Sequence, residues 1–249
     1  MELFSLAVLF AAGILVSLFA TYTGGGSFVT IPLLAFLGLS PLQAIGSNRL
    51  AALGAIGTPL LRFHEKKLVD WNIGLTTGVL ALAGGIVGAL FVLQVPEKML
   101  EIIIAAVTLV FAGVMLAHPN LGMLKKEKRL RKRDWLMGGV LFFFVSIYSG
   151  FYGAGAGILN SFILIWFFGQ TFMESIATRK ITTFLPSAAA AAIFLLTGGI
   201  IIWDATLALF ASNVIGAVIA VSYADNIKQE WLRYVFIALA VVLTAKLFL

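Results

Sequence analysis

Two glycine clusters interrupt apolar stretches of this chain, and each is followed by cations inside the next apolar segment. Gly24-Gly25-Gly26 precedes Arg49, and the looser cluster Gly153-Ala154-Gly155-Ala156-Gly157 precedes Arg179-Lys180. Glycine lets the backbone turn and approach a ligand closely. The helix that follows then offers unpaired N–H groups at its positive dipole end, an arrangement suited to an anion. The spacing therefore predicts a polar, anion-binding site inside an otherwise apolar protein.

The cations strengthen this interpretation because a charge inside a membrane span normally faces a partner or a wet cavity. Glu174 is the obvious acidic candidate nearby, so an ion pair with Arg179 is an alternative. A second alternative is that Arg179 or Lys180 extends to the lipid headgroups. The predicted substrate-binding residues are Thr23, Gly24, Gly25, Gly26, Ser27, Ser47, Asn48, Arg49, Gly153, Gly155, Gly157, Asn160, Thr178, Arg179 and Lys180.

Composition places these residues in a membrane. Of 249 residues, 61% are hydrophobic and 11% charged, with a mean hydropathy of +1.06, whereas soluble domains carry roughly 25% charged residues. Apolar runs of about 20 residues recur along the chain and predict an all-α polytopic membrane protein. The net charge of +6 is concentrated in residues 125–133, which suits a cytoplasmic loop better than nucleic-acid binding. The chain has no cysteine, and we expect no metal or cofactor.

The apolar segments have two lengths. Residues 27–37 and 158–168 are short and, at about 1.5 Å per residue, reach only about half of a 30 Å hydrocarbon core. Both a re-entrant and a crossing path fit them. The longer predicted segments are 3–20, 42–61, 73–93, 99–117, 135–151, 172–196, 204–223 and 231–248. Gly84, Gly85 and Gly88 are expected to be helix-packing glycines.

The order of segments repeats, with Tyr22 matching Tyr152, Gly38 matching Gly169 and Arg49 matching Lys180. Loop 62–67 is basic, whereas its counterpart 197–204 contains no cation, so the two loops are expected on opposite sides of the membrane. This pattern predicts two inverted-topology repeats, as in many secondary transporters. We assign 1–117 to the first repeat, 118–134 to a basic cytoplasmic linker and 135–249 to the second repeat. Each repeat has about four long apolar segments and one glycine-broken or re-entrant short helix.

Three motifs in the first half are Gly24-Gly25-Gly26-Ser27-Phe28-Val29-Thr30-Ile31-Pro32, Gly38-Leu39-Ser40-Pro41 and Ala44-Ile45-Gly46-Ser47-Asn48. Together they resemble the TauE/SafE family, also called the sulfite exporter or TSUP family. The second copy is looser, and the resemblance covers nearly the whole chain. The chain departs from the pattern at its cations 49, 179 and 180, and no second-half proline corresponds to Pro32. The resemblance implies transport of sulfur-containing anions such as sulfite or sulfonates. The residues themselves indicate a small anion.

The sequence therefore predicts a secondary transporter in a bacterial-type inner membrane that moves a small oxyanion by alternating access. Its expected partners are the anion and the lipid bilayer. An anion channel is one alternative. An intramembrane enzyme acting on a lipid phosphate is another, but the few intramembrane His, Asp and Glu residues argue against acid–base catalysis. Transport direction, coupling ion and oligomeric state are not predicted.

Overall fold

The computed structural model describes residues 2–106 and 131–222. These residues form helices joined by short turns, with no strand among them. The helices are α1 (Leu3–Thr23), α2 (Ser27–Phe36), α3 (Pro41–Glu65), α4 (Trp71–Val92), α5 (begins at 97, described as far as 106), α6 (Lys132–Phe151), α7 (Ala156–Phe168), α8 (Phe172–Thr197) and α9 (Trp203–Ser222).

Five of the described helices, α1, α4, α6, α8 and α9, are long and apolar enough to cross a membrane. Large apolar side chains cover the outer faces of α4 and α6, among them Val79, Phe91, Leu136 and Phe144. Such faces belong against lipid. The expectation of an all-α polytopic membrane protein is confirmed.

The short helices are nearly enclosed by protein. In α2, every side chain from Phe28 to Leu34 is buried. With 10 residues α2 is about 15 Å long, and α7 with 13 residues is about 20 Å. Neither helix alone spans the hydrocarbon core. Backbone that ends at membrane depth must be buried in protein or line a cavity, which makes the ends of α2 and α7 the places to look for a polar site.

Local signals in the sequence set the helix boundaries. Ser40 and Thr171 form capping boxes with Gln43 and Glu174 at the starts of α3 and α8. Helix α6 begins at Lys132, earlier than the predicted start at 135, so the end of the predicted linker is helical. The reason is that Asp134 Oδ2 accepts a hydrogen bond from the backbone N–H of Arg131 and satisfies the helix start.

Helices from the first part of the chain pack on helices from the second. Helix α1 packs on α9 and α4 on α6; α3 contacts α8 and α9, and α4 also contacts α8. If α1, α2, α3 and α4 exchange places with α6, α7, α8 and α9, in that order, the set of helix pairs in contact stays the same.

Glycines permit the closest of these helix contacts. A Cβ on Gly85 would lie 2.8 Å from Pro186 Cα, and one on Gly84 would overlap the Phe143 carbonyl oxygen. Gly88 lies equally close to the backbone of α6 at Ile147. The prediction that these three glycines serve packing is confirmed. The predicted span 231–248 and most of the predicted linker, residues 118–130, lie outside the described residues.

Candidate functional site

The two glycine breaks meet inside the protein. Helix α1 ends at Thr23 because Gly24 adopts a left-handed conformation, with φ +76°. Helix α6 ends at Phe151, and Gly153 and Gly155 have φ values of +81° and +74°. A Cβ on Gly24 would lie 2.9 Å from the Cα of Gly157, so the backbones of the two breaks are in contact.

A cavity of about 90 Å³ opens where the breaks meet. A water occupies about 30 Å³ in the liquid, so the cavity has room for about three waters or one small oxyanion. The first residues of both short helices face it, with Gly26 and Ser27 from α2 and Ala156 and Gly157 from α7. The first-turn N–H groups of a helix lack intrahelical acceptors and carry a partial positive charge. Carbonyl oxygens of Gly25 and Gly155 already accept from some of these groups, and the positive dipole ends of the two helices make this end of the cavity electropositive.

Arg49 lines the cavity from α3 and is 4% exposed. Its Nη2 donates a hydrogen bond to the backbone oxygen of Ser149, near the end of α6. Its Nε has no hydrogen-bond partner within the described ranges. A Cβ on Gly153 would overlap the guanidinium, so a side chain there would displace the end of Arg49. Arg49 is thus buried with part of its donor capacity unused.

The hydrogen-bond donors of Arg179, from α8, are more fully satisfied by the protein. Its Nη1 donates to the Gly157 oxygen at 2.8 Å and to Ser161 Oγ at 3.0 Å. The guanidinium also donates to three carbonyl oxygens in the last turn of α1, those of Thr21, Tyr22 and Thr23. The carbonyl end of a helix carries partial negative charge. Arg179 therefore ties the end of α1 to the start of α7, and it also borders the cavity.

Lys180 lies beside Arg179 and is 4% exposed. Its side chain lines the cavity and makes no hydrogen bond or ion pair with any residue that the structure describes. An ammonium group carries three donors, so this is the least satisfied of the three cations. Because all three are buried, the alternative that Arg179 or Lys180 extends to the headgroups is wrong.

No carboxylate among residues 2–106 and 131–222 lines the cavity. Glu174 is occupied at the start of α8, where its Oε2 accepts from the backbone N–H of Thr171 at 2.8 Å. The alternative ion pair between Glu174 and Arg179 is therefore wrong. Three basic side chains and two helix starts surround a small space with no negative group from the described residues to balance them.

Neutral donors complete one wall of the cavity. Asn48 Nδ2 donates to Ser27 Oγ at 3.0 Å, and Thr30 Oγ1 donates to Asn48 Oδ1 at 2.6 Å. This chain links α3 to the first turn of α2. The predicted site residues that line the cavity are Gly24, Gly26, Ser27, Asn48, Arg49, Gly153, Gly157, Arg179 and Lys180.

The other predicted site residues lie outside the lining. Ser47 Oγ accepts from the backbone N–H of Ile202 at 2.9 Å, just before α9, and Thr178 Oγ1 accepts from that of Asp70 at 3.1 Å, just before α4. Each hydroxyl therefore satisfies a helix start in the other half.

Thr23 Oγ1 donates to the Phe19 oxygen within α1. Gly25 and Gly155 shape the turns, and their carbonyl oxygens accept the first hydrogen bonds of α2 and α7. Asn160 is buried, and neither polar atom of its side chain has a partner among the described residues.

Corresponding contacts recur at matching positions of the two halves. Ser40 and Thr171 cap α3 and α8, and the same sequence spacing relates Ser47 to Thr178. Asn48 bonds to α2, and Arg179, its counterpart in this register, bonds to α7. The next pair in the register is Arg49 and Lys180, and both side chains reach the cavity.

Sequence reasoning missed part of the lining. Ser149, Thr183, Ser187 and Asn213 border the cavity together with small apolar residues of α3. Thr183 and Ser187 fall on the face of α8 that carries Arg179 and Lys180, at helical spacing, which is a signal that could have found them. Asn213 comes from α9, and no local pattern marks it.

Comparison with known proteins identifies the family of the chain. The family model described as sulfite exporter TauE/SafE matches residues 9–247. The chain belongs to the TauE/SafE sulfite exporter family. Three of its bacterial relatives are named as probable membrane transporter proteins. The resemblance on which the sequence analysis relied is confirmed, and the protein is a membrane transporter.

The relatives match almost end to end. The protein from Haemophilus influenzae is 29% identical over 247 residues, covering 97% of this chain and 94% of the relative. ORF9 of Sinorhizobium is 28% identical, covering 96% and 92%. YfcA of Escherichia coli K12 is 25% identical, covering 97% and 89%. No solved structure matched the chain.

Proposed function

We propose that this TauE/SafE protein carries a small oxyanion, of the sulfite or sulfonate type, and that the cavity at the two glycine breaks is its binding site. The observation that carries the proposal is the charge of the cavity. Arg49, Arg179 and Lys180 are buried around about 90 Å³, without a carboxylate from the described residues. The family's description as sulfite exporters supports the sulfur-containing class of anion.

Energy favours an anionic occupant. A lysine or arginine at the centre of a membrane costs about 2.5–3.5 kcal/mol on insertion scales. The protein lowers this cost for Arg179 with five backbone and hydroxyl acceptors. Arg49 has one such acceptor, and Lys180 has none in the described parts of the chain. A bound oxyanion would supply acceptors and negative charge to these two residues, which flank it from α3 and α8.

The volume is compatible with a small substrate. Space for about three waters accommodates a single tetrahedral or pyramidal oxyanion with a short substituent. The electropositive starts of α2 and α7 would bind its oxygens, as helix starts bind anions elsewhere.

Transport would proceed by alternating access between two inverted halves, 1–117 and 135–249, joined by the basic cytoplasmic linker 118–134 in the inner membrane. The pairing of helices supports this arrangement, because α1 of the first half packs on α9 of the second and α4 packs on α6. The contact between Gly24 and Gly157, one residue from each half, also supports it. Paired broken helices at a repeat interface are typical of transporter substrate sites.

Counterflow in proteoliposomes tests the proposal. Vesicles loaded with unlabelled sulfite should take up external ³⁵S-sulfite with saturable kinetics. A channel would instead pass current without saturable exchange. Arg49→Ala should reduce counterflow to the level of protein-free vesicles.

Arg62→Ala is the matched control, because it removes the same charge from the same helix. Arg62 is half-exposed and pairs with Glu65 at 3.2 Å. This variant should retain wild-type counterflow. Wild-type counterflow by Arg49→Ala would contradict the site, and absence of counterflow with sulfite, sulfate, thiosulfate and sulfonates in the wild type would contradict the function.

A further inference from the structure

The ionisable side chains among the described residues of the cavity lining are Arg49, Arg179 and Lys180. Arginine stays protonated in proteins under all ordinary conditions. Lysine can exist as a neutral amine and does so at many buried functional sites. Lys180 is therefore the group in this lining that can take up and release a proton.

The surroundings of Lys180 fit such a role. Its ammonium would be buried beside two permanent cations and has no acceptor or carboxylate among the described residues. An ion removed from water without a partner is high in free energy. Lysine can avoid that state either by binding an anion or by releasing a proton to water in the cavity.

The helices packed on α8 supply no described acid that could replace the anion. Helices α4 and α7 contain no ionisable residue. Helix α3 supplies Arg49 to the cavity, and its remaining ionisable groups lie at its far end, in the last turn. Helix α6 supplies Tyr148, whose hydroxyl donates to the Ala154 oxygen at 2.6 Å, and Asp134 at its opposite end. On α8 itself, Glu174 is held in the capping box at the helix start.

We propose that Lys180 takes up one proton when the anion binds and releases it when the anion leaves, so that the protein moves a proton together with each anion. This inference rests on the proposed anion site. On binding, the neutral Nζ takes a proton from hydronium in the bulk water on that side, which leaves water, and the resulting ammonium donates hydrogen bonds to the oxyanion. On release to the other side, the ammonium returns its proton to water there. No electrons move, and the protein ends the cycle unchanged.

The proposal has a thermodynamic consequence. At zero membrane potential, each carried proton adds a factor of about ten to the anion accumulation per unit of pH gradient, because one pH unit corresponds to a tenfold ratio. Wild-type protein should therefore accumulate sulfite toward the alkaline side. Lys180→Arg keeps a positive charge that cannot be released as a proton. The anion accumulation ratio of this variant should therefore be lower than that of wild type by a factor of about ten per pH unit.

The experiment uses proteoliposomes held at zero potential, with ³⁵S-sulfite uptake recorded against pH gradients of 0, 0.5 and 1 unit. Protonation of sulfite itself affects wild type and variants equally. A difference between them in the dependence of uptake on the pH gradient therefore comes from Lys180. Counterflow without a gradient is measured in parallel and isolates the proposed function. Absence of wild-type counterflow would reject the anion site. Wild-type counterflow together with an altered gradient response in Lys180→Arg addresses Lys180 alone.

Support consists of a sulfite accumulation ratio in Lys180→Arg that, at equilibrium, is about tenfold lower than that of wild type per unit of pH gradient, whatever the rate of its counterflow. An unchanged response would overturn the inference. If Lys180→Arg fails to fold or exchange, Lys180→Gln takes its place. If neither variant exchanges, proton uptake on sulfite binding is recorded in detergent with a pH indicator. There, wild type should take up about one more proton per bound anion than either variant, and equal uptake, or no sulfite binding by the variants, would count against a proton role.

Discussion

Replacing Gly24 by alanine tests whether the contact between the two breaks forms the site. The new Cβ would lie 2.8 Å from Arg179 Nη1, 2.9 Å from Gly157 Cα and 3.0 Å from Arg179 Cζ. Gly24 also has φ +76°, where an L side chain costs about 1–2 kcal/mol. Overpacking against the Gly157 backbone adds about 1–3 kcal/mol. Gly24→Ala should therefore lower the free energy of unfolding by about 2–5 kcal/mol.

Gly38→Ala is the matched control. Gly38 has φ +97°, and its Cβ would meet no atom within 4 Å, so this variant carries only the backbone strain of about 1–2 kcal/mol. At about 2–4 °C per kcal/mol for a chain of this size, its midpoint should fall by about 2–8 °C. The midpoint of Gly24→Ala should fall by about 4–20 °C.

Thermal unfolding in detergent measures both midpoints, and counterflow is then assayed at a temperature where each variant is folded. Gly24→Ala displaces Arg179 and the start of α7, so its sulfite counterflow should fall about tenfold or more, equivalent to about 1.4 kcal/mol of lost binding. Gly38→Ala should transport normally. Normal transport by Gly24→Ala would refute the reasoning, and so would equal losses in both variants, because backbone strain alone would then explain them.

Three further substitutions test the contacts around the cavity. Ser47→Ala leaves the partly buried N–H of Ile202 without its acceptor, so the free energy of unfolding should fall by about 0.5–1.5 kcal/mol with sulfite affinity unchanged. A weaker affinity would place Ser47 in the site. Gly88→Ala places a Cβ against the backbone of α6 and should lower the yield of monodisperse protein on size exclusion. The control Gly57→Ala, whose Cβ has its nearest contact at 3.5 Å, should be tolerated. Equal yields of the two variants would argue against close helix packing at Gly88. Arg179→Lys cannot reproduce the guanidinium's fork, so its midpoint should fall by several degrees, and an unchanged midpoint would show that these hydrogen bonds do not stabilise the fold.

Much of the fold could be predicted because the signals are local. Apolar runs, glycine breaks and capping residues gave the short helix predicted at 27–37, observed as Ser27–Phe36, and the one predicted at 158–168, observed as Ala156–Phe168. A proline at the first helical position and a capping serine marked the start of α3. These features depend on residues a few positions apart.

The orientation of polar side chains could not be predicted in the same way, because it depends on contacts between distant segments. Ser47 and Thr178 were expected to face the substrate, but each accepts a hydrogen bond from a loop in the other half. Arg179 was expected to be a free ligand, but most of its donors bind backbone oxygens at the end of α1. The charge pattern predicted a polar site, and only the fold shows which groups face the cavity.

The measurement that tests the central claim most directly is a thermal-shift titration of the purified protein with sulfite, sulfate, thiosulfate, sulfonates, phosphate and short carboxylates. Binding at about 100 times Kd stabilises the folded state by about 2.7 kcal/mol, or about 5–11 °C at 2–4 °C per kcal/mol. A sulfur oxyanion should produce this shift in wild type and in Arg62→Ala, and Arg49→Ala should lose it. No shift with any anion, or an equal shift in Arg49→Ala, would contradict the assignment of the cavity as the anion site.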